Sequence, residues 1–198
     1  MSNEETSLRR NFYNKQIEIV SLLDSLSIDR SRYELRLEAF KLEQILNVYL
    51  KDGNSDWILS RSYPFCKFSG RLGPKLREGD RQIPEGIYKV AVFNPNSKFY
   101  LSLGLDYPND RDLRLADPKD PGSDIYIHGG CATVGCIPIT DEKIAELFLL
   151  AKGASTEIEV LILPFQKTES NLKKYYQAYP QWKAFWEALF EDVERLRD

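Results

Sequence analysis

Glycine and proline clusters cut the middle of this 198-residue chain into short runs, and that limits what it can fold into. The densest are Ser69-Gly70-Arg71-Leu72-Gly73-Pro74-Lys75, Glu78-Gly79-Asp80 and Pro84-Glu85-Gly86. A second polar stretch, rich in Pro, Asn, Asp and Arg, runs from Asp106 to Gly122. Such density forbids long regular structure, so these segments are loops. The runs between them are strand-sized. Tyr33, Leu35, Leu37 and Ala39 alternate with charged residues, which predicts a half-buried strand. Ile45 to Leu50 and Trp57 to Phe65 predict two more, separated by the turn Lys51-Asp52-Gly53-Asn54. Strands are also expected at Ile87 to Phe93, Lys98 to Leu105, Asp124 to His128 and Ile158 to Leu163.

Helical spacing is found elsewhere. Leu8 to Leu26 is amphipathic, with Phe12, Ile19, Val20, Leu23 and Leu26 on one face. Packing on the domain is the ordinary reading of such a helix, and a tether or coiled coil is the alternative. Thr140 is a candidate N-cap for a helix carrying Ile144, Leu147, Phe148 and Ala151, with Gly153 as its C-cap. The tail from Asn171 to Leu196 is helical and aromatic, including Tyr175, Tyr179, Trp182, Trp186 and Phe190. Such a stripe ordinarily packs onto a core; sugar stacking or a membrane surface is the alternative. The expected organisation is a helical segment over residues 1–30 and one domain over 31–198, closed by the aromatic helix.

At 42% apolar and 12% aromatic the chain can bury a real core. A net charge of −3 and the lack of a basic run argue against a nucleic-acid partner. No apolar run has the length of a membrane span. Met1-Ser2-Asn3-Glu4-Glu5 is acidic where an export signal would be basic and then apolar. Three cysteines predict no disulfide framework.

Chemistry concentrates in Ile127-His128-Gly129-Gly130-Cys131-Ala132-Thr133-Val134-Gly135-Cys136. It holds the only histidine and two of the three cysteines. A thiol attacks as thiolate, and an imidazole can take its proton near neutral pH. Glycines let backbone N–H groups approach a substrate oxygen. Three readings stay open on the residues alone: a cysteine nucleophile with a histidine base, a zinc site, or a structural cluster. Zinc lacks a fourth ligand at paired spacing, and Cys66 is distant in sequence. Cys131 is read as a packing residue, with a resolving thiol as the alternative.

His128-Gly129 followed by Thr133-Val134-Gly135-Cys136 resembles the L,D-transpeptidase catalytic domain of the YkuD type. Gly79-Asp80 and Pro84-Glu85-Gly86-Ile87-Tyr88 are similar to that family's strand-entry motif. Its YafK-like branch is matched further by Ser69-Gly70-x-Leu72-Gly73-Pro74-Lys75, Asn94-Pro95-Asn96-Ser97, Tyr107-Pro108-Asn109, Pro164-Phe165 and Trp182-x-x-Phe185-Trp186-x-x-Leu189. The resemblance covers roughly Leu37 to Leu196.

It implies an α+β fold, mostly β around the cysteine with helices at both ends. It implies peptidoglycan stem peptides as partners, cleaved on the carboxyl side of an L-centre that is often meso-diaminopimelate. Cys136 would form a thioester acyl-enzyme, resolved by an amine or by water. His128 would be the base and Gly129 would orient it. The backbone N–H groups of Gly135 and Cys136 would form the oxyanion hole. Many members carry an arginine after Gly-Cys to hold a substrate carboxylate; this chain has Ile137-Pro138. Lys75, Arg81 and Arg111 are the candidate substitutes, and Tyr107, Asn109 and Thr133 complete the expected substrate-binding set. No cofactor and no metal are implied, and a monomer is expected. The expected location is the periplasm or cell envelope, with an export signal upstream of Ser2 in the full gene product. Alternatives are a hydrolase of the same fold, and, more distantly, a zinc-binding or non-catalytic cell-wall module.

Overall fold

The computed structural model describes residues 3–53 and 55–197, with side chains from residue 12 onward. Met1, Ser2, Asn54 and Asp198 lie outside the described residues, and with them the last position of the expected Lys51-to-Asn54 turn. The element order is α1 (Asn3–Ser25), β1 (Tyr33–Phe40), β2 (Ile45–Asp52), β3 (Ile58–Pro64), β4 (Gly86–Ser97), β5 (Tyr100–Leu105), β6 (Tyr126–His128), β7 (Ile137–Pro138), α2 (Asp141–Gly153), β8 (Glu159–Leu163), α3 (Glu169–Ala178) and α4 (Lys183–Arg197). The strands form one mixed sheet in the order β3-β2-β1-β8-β4-β5-β6-β7. This is the α+β arrangement that the resemblance implies.

Both faces of the sheet are covered. On β8, Val160 and Ile162 join a core with α1 and α2, while Leu161 and Leu163 join a second core under α4. Period-two alternation feeds both layers. β1 therefore departs from the half-buried expectation, because Arg36 and Glu38 are covered too. Arg36 donates to Glu159 at 3.0 Å and to the Leu196 carbonyl at 3.1 Å, and Arg197 of α4 bonds both carboxylate oxygens of Glu38 at 2.7 Å. These two charges meet the end of α4 instead of solvent.

Three helix details differ from the sequence reading. Thr140 sits at φ 74°, ψ 159°, and its side chain makes no capping bond. A capping side chain needs the β region to reach the N–H groups ahead of it. Gly153 is the last helical residue, and Ala154 is the cap. Glycine is required there because a Cβ would overlap the hydroxyl of Tyr33, which donates to the Leu150 carbonyl at 2.7 Å. The aromatic tail is two helices, not one, broken at Pro180, which cannot continue a helix. Its aromatics pack inward: Trp186 and Phe190 are buried against Phe165. The N-terminal helix packs on the domain, with Ile19, Leu22 and Leu23 in the main core.

One polar node links the two layers. Lys41, just past β1, and Glu85, just before β4, are both fully buried, 2.9 Å apart. The Lys41 ammonium also donates to the Gly73 and Ile83 carbonyls at 2.8 Å each. Glu85 accepts from the Gly73 N–H at 2.7 Å and from the Trp186 indole at 2.7 Å. Burial pulls the Lys41 pKa down from its ordinary value, and the adjoining Glu85 acts against that. Lys41→Ala leaves a buried carboxylate without its cation and two carbonyls without donors. The expected loss is about 3–5 kcal/mol of unfolding free energy, read from the denaturant midpoint. Replacing Lys41 and Glu85 together by apolar residues should not restore it, because the groups of Gly73, Ile83 and Trp186 stay orphaned.

Candidate active site

His128 ends β6 and is locked on both sides by backbone pairing. Its partner on β5 is Ser102, and its carbonyl accepts from Ile139 at 3.0 Å. The ring is buried, and Phe99 stacks on it at 4.5 Å between centroids and 27° between planes. Nδ1 lies 2.5 Å from the Gly129 carbonyl. A carbonyl only accepts, so Nδ1 carries the proton and Nε2 is left with its lone pair. Burial lowers the histidine pKa, and the bond to Gly129 opposes this. The ring is therefore neutral at pH 7.

Gly129 has no room for a side chain. A Cβ would lie 2.5 Å from Asp141 Oδ1 and 2.6 Å from the Phe99 carbonyl. The same Asp141 oxygen accepts the Gly130 N–H at 2.7 Å, so the first residue of α2 holds the turn after His128.

Cys136 is the one free cysteine, partly exposed in the wall of a cavity of about 610 Å³. His128, Phe99 and Thr133 line the same cavity. The thiol donates to the Asp124 carbonyl at 3.5 Å, and among the described residues no bond joins it to the imidazole. Burial raises its pKa above the ordinary 9.0, outweighing the positive charges of Lys75 and Lys98. At neutral pH the site holds a thiol and a neutral imidazole, not a preformed ion pair.

The loop that carries Cys136 is clamped from outside the cavity. Cys66 and Cys131 form a disulfide with Cα atoms 5.5 Å apart. This corrects two expectations: one disulfide closes a separation of 65 residues, and Cys131 is a cross-link, not a packing residue. It also removes Cys131 as a zinc ligand, which leaves that reading with His128 and Cys136. The cysteines that are distant in sequence meet because the Cys66 N–H bonds the Pro138 carbonyl at 3.0 Å, beside β7. Gly135, at φ +94°, presses against the Gln82 carbonyl, where a Cβ would lie at 2.9 Å.

Both backbone donors of the expected oxyanion hole have hydroxyl partners. Gly135 N–H donates to Ser69 Oγ at 2.8 Å, and Ser69 is not part of the cavity wall. Cys136 N–H donates to Thr133 Oγ1 at 3.0 Å, and that hydroxyl returns a bond to the Cys136 carbonyl at 2.7 Å. Nothing in the sequence signals that neighbouring hydroxyls fill these donors.

Of the expected substrate-binding set, only Thr133 lines the cavity. Lys75 is buried, tied to Asp80 at 2.8 Å and to the Arg77 carbonyl at 2.9 Å. Tyr107 is buried and donates to the Pro121 carbonyl. Asn109 donates to the Ile87 carbonyl and organises its own loop. Arg111 pairs with Asp192 of α4, and Arg81 is exposed away from the cavity wall. Lys98, Phe99, Asp124 and Tyr126 do line it, and sequence reasoning misses them. A signal is present: Asn94-Pro95-Asn96-Ser97 leads directly into Lys98 and Phe99.

The family model for the L,D-transpeptidase catalytic domain (YkuD) matches residues 41–160. The chain belongs to the L,D-transpeptidase family. It is 36% identical over 159 residues to the Escherichia coli (strain K12) protein named "Putative L,D-transpeptidase YafK". That match covers 77% of this chain and 62% of the relative, so the chain spans under two thirds of its length. Among solved structures, the chain is similar to the helical cell shape determining protein Pgp2 from Campylobacter jejuni. The TM-score is 0.56 at 20% identity, over 72% of this chain and 52% of that one. Its K307A mutant gives 0.56 at 19% identity, over 83% and 62%. At these identities the likeness is one of fold.

Two measurements check the site as this family member holds it. Native protein should show one titratable thiol per chain without reductant and three after reduction and denaturation. Alkylation of Cys136 by iodoacetamide should rise about tenfold per pH unit from pH 7 to pH 9, with its midpoint above 9. A plateau below pH 8 would contradict the neutral resting pair.

Proposed function

We propose that this protein is a cysteine-dependent L,D-transpeptidase acting on peptidoglycan stem peptides at an L-centre, diaminopimelate by family resemblance. One observation carries the reading: Cys136, the free thiol, and His128, with Nε2 unprotonated, share one cavity. The thiol leaves the Asp124 carbonyl and gives its proton to Nε2 as sulfur attacks the donor carbonyl. The developing oxyanion takes the Cys136 N–H as the Thr133 hydroxyl swings away from it. Collapse breaks the C–N bond, the imidazolium proton goes to the departing amine, and a thioester remains on Cys136. An acceptor amine then gives up a proton to Nε2 and forms the new amide, releasing the thiol. Water in place of the amine gives hydrolysis.

The neutral resting pair suits this sequence. A low imidazole pKa keeps the base unprotonated, and a high thiol pKa keeps the sulfur unreactive until a donor is bound. The Cys66–Cys131 disulfide supports an envelope location, since such bonds persist in oxidising compartments.

The test is incubation with purified peptidoglycan fragments, with mass analysis of products. Cys136→Ala should form none, and His128→Ala should be slower by about 10²–10⁴-fold. Cross-linked products identify transfer and shortened stems identify hydrolysis. Undiminished product from Cys136→Ala would sink the mechanism.

A further inference from the structure

Among the described residues, two charged side chains in the cavity wall lack an ionic partner. Lys98 stands in the turn between β4 and β5, with its ammonium 5.2 Å from the centroid of the Phe99 ring that stacks on His128. Asp124 stands just before β6, at φ +57°, and its carbonyl accepts the Cys136 thiol. Its carboxylate accepts only hydroxyls, from Ser123 at 3.1 Å and Tyr126 at 3.4 Å. Among the described residues neither side chain makes an ion pair, with the other or with anything else. With His128 neutral, they are the two charges of the wall. Opposite charges that line one cavity without meeting suit a ligand that bears both signs.

The position after Gly-Cys offers no charge: Ile137 and Pro138 are buried in β7. The other expected cations are spent in ion pairs or lie away from the wall. We propose that Lys98 and Asp124 form a two-point clamp for a donor residue carrying a free carboxylate and a free ammonium on one carbon. Lys98 takes the carboxylate and Asp124 the ammonium. The inference rests on the stem-peptide reading above and adds how this chain selects its donor. A lysine suits the carboxylate end because it is a point charge on a flexible stem, and the aromatic face beneath it fixes its direction. The clamp also ties binding to chemistry, since Lys98 reaches the base through Phe99 and Asp124 holds the resting thiol.

A substrate-free experiment tests the clamp first. The ratio of Cys136 alkylation rates with iodoacetate and iodoacetamide reports the local charge and cancels changes in thiol reactivity. At low salt, Lys98→Gln should lower that ratio roughly three- to tenfold, and Asp124→Asn should raise it. Paired donors test it next: stem peptides with the free zwitterionic centre, its carboxamide, and its N-acetyl derivative. The native protein should prefer the zwitterion by roughly ten- to a hundredfold in kcat/KM. Lys98→Gln should erase the preference over the carboxamide, and Asp124→Asn the preference over the N-acetyl form. Shifted alkylation ratios with no turnover of any stem would fault the proposed function and the donor assigned to the clamp, and leave only the two charges beside the thiol standing. Turnover of stems with ratios and preferences unmoved by either substitution would overturn the clamp alone.

Discussion

Lys41 and Glu85 meet inside the protein at full burial, and the segments that build the site converge on them. Desolvating two charges costs several kcal/mol each unless every donor and acceptor is matched. Here the match is complete: the ammonium has three acceptors, one carboxylate oxygen has two donors, and the other has an indole. Those partners belong to the end of β1, the glycine-rich loop, the entry to β4, and α4. The node fixes where the loop from Cys66 to Glu85 runs, and that loop touches the segment that carries Cys136.

From this anchored loop, Ser69 reaches the Gly135 N–H, Gln82 presents its carbonyl to the Gly135 Cα, and Cys66 is bonded to Cys131. Asp141 holds the turn after His128 from the other side. His128 and Cys136 are thus placed by separate supports, an α-helix for one and a cross-linked loop for the other. The site depends on tertiary structure more than its ten-residue compactness in sequence suggests.

Much of this is legible in the chain. Every strand but the two-residue β7 follows from apolar runs bounded by glycine and proline, and His128 and Cys136 are singled out by one histidine beside two cysteines among glycines. What stays hidden depends on contacts between distant segments. The alternation of β1 looks half-exposed because nothing local announces that Arg36 and Glu38 meet α4. Gly153 looks like a cap until Tyr33 is seen against it. Cys66 and Cys131 cannot be paired from a separation of 65 residues. Lys75 and Arg111 look free because their partners, Asp80 and Asp192, are identified only by folding. Lys98 escapes notice because a lysine in a hairpin turn is ordinarily a solvated charge.

β6 and β7 are parallel neighbours in register, His128 opposite Pro138, joined by residues 129–136. Parallel strands ordinarily need a crossover of a dozen residues or more. This one closes in eight, with positive φ at Gly130 and Gly135. There is no slack to absorb an insertion or deletion without moving the cysteine relative to the histidine. The length of this connection is as much a part of the site as the residues in it. Diversification among proteins built this way would then fall to the β4–β5 hairpin and to the polar stretch before β6, whose lengths the sheet leaves free.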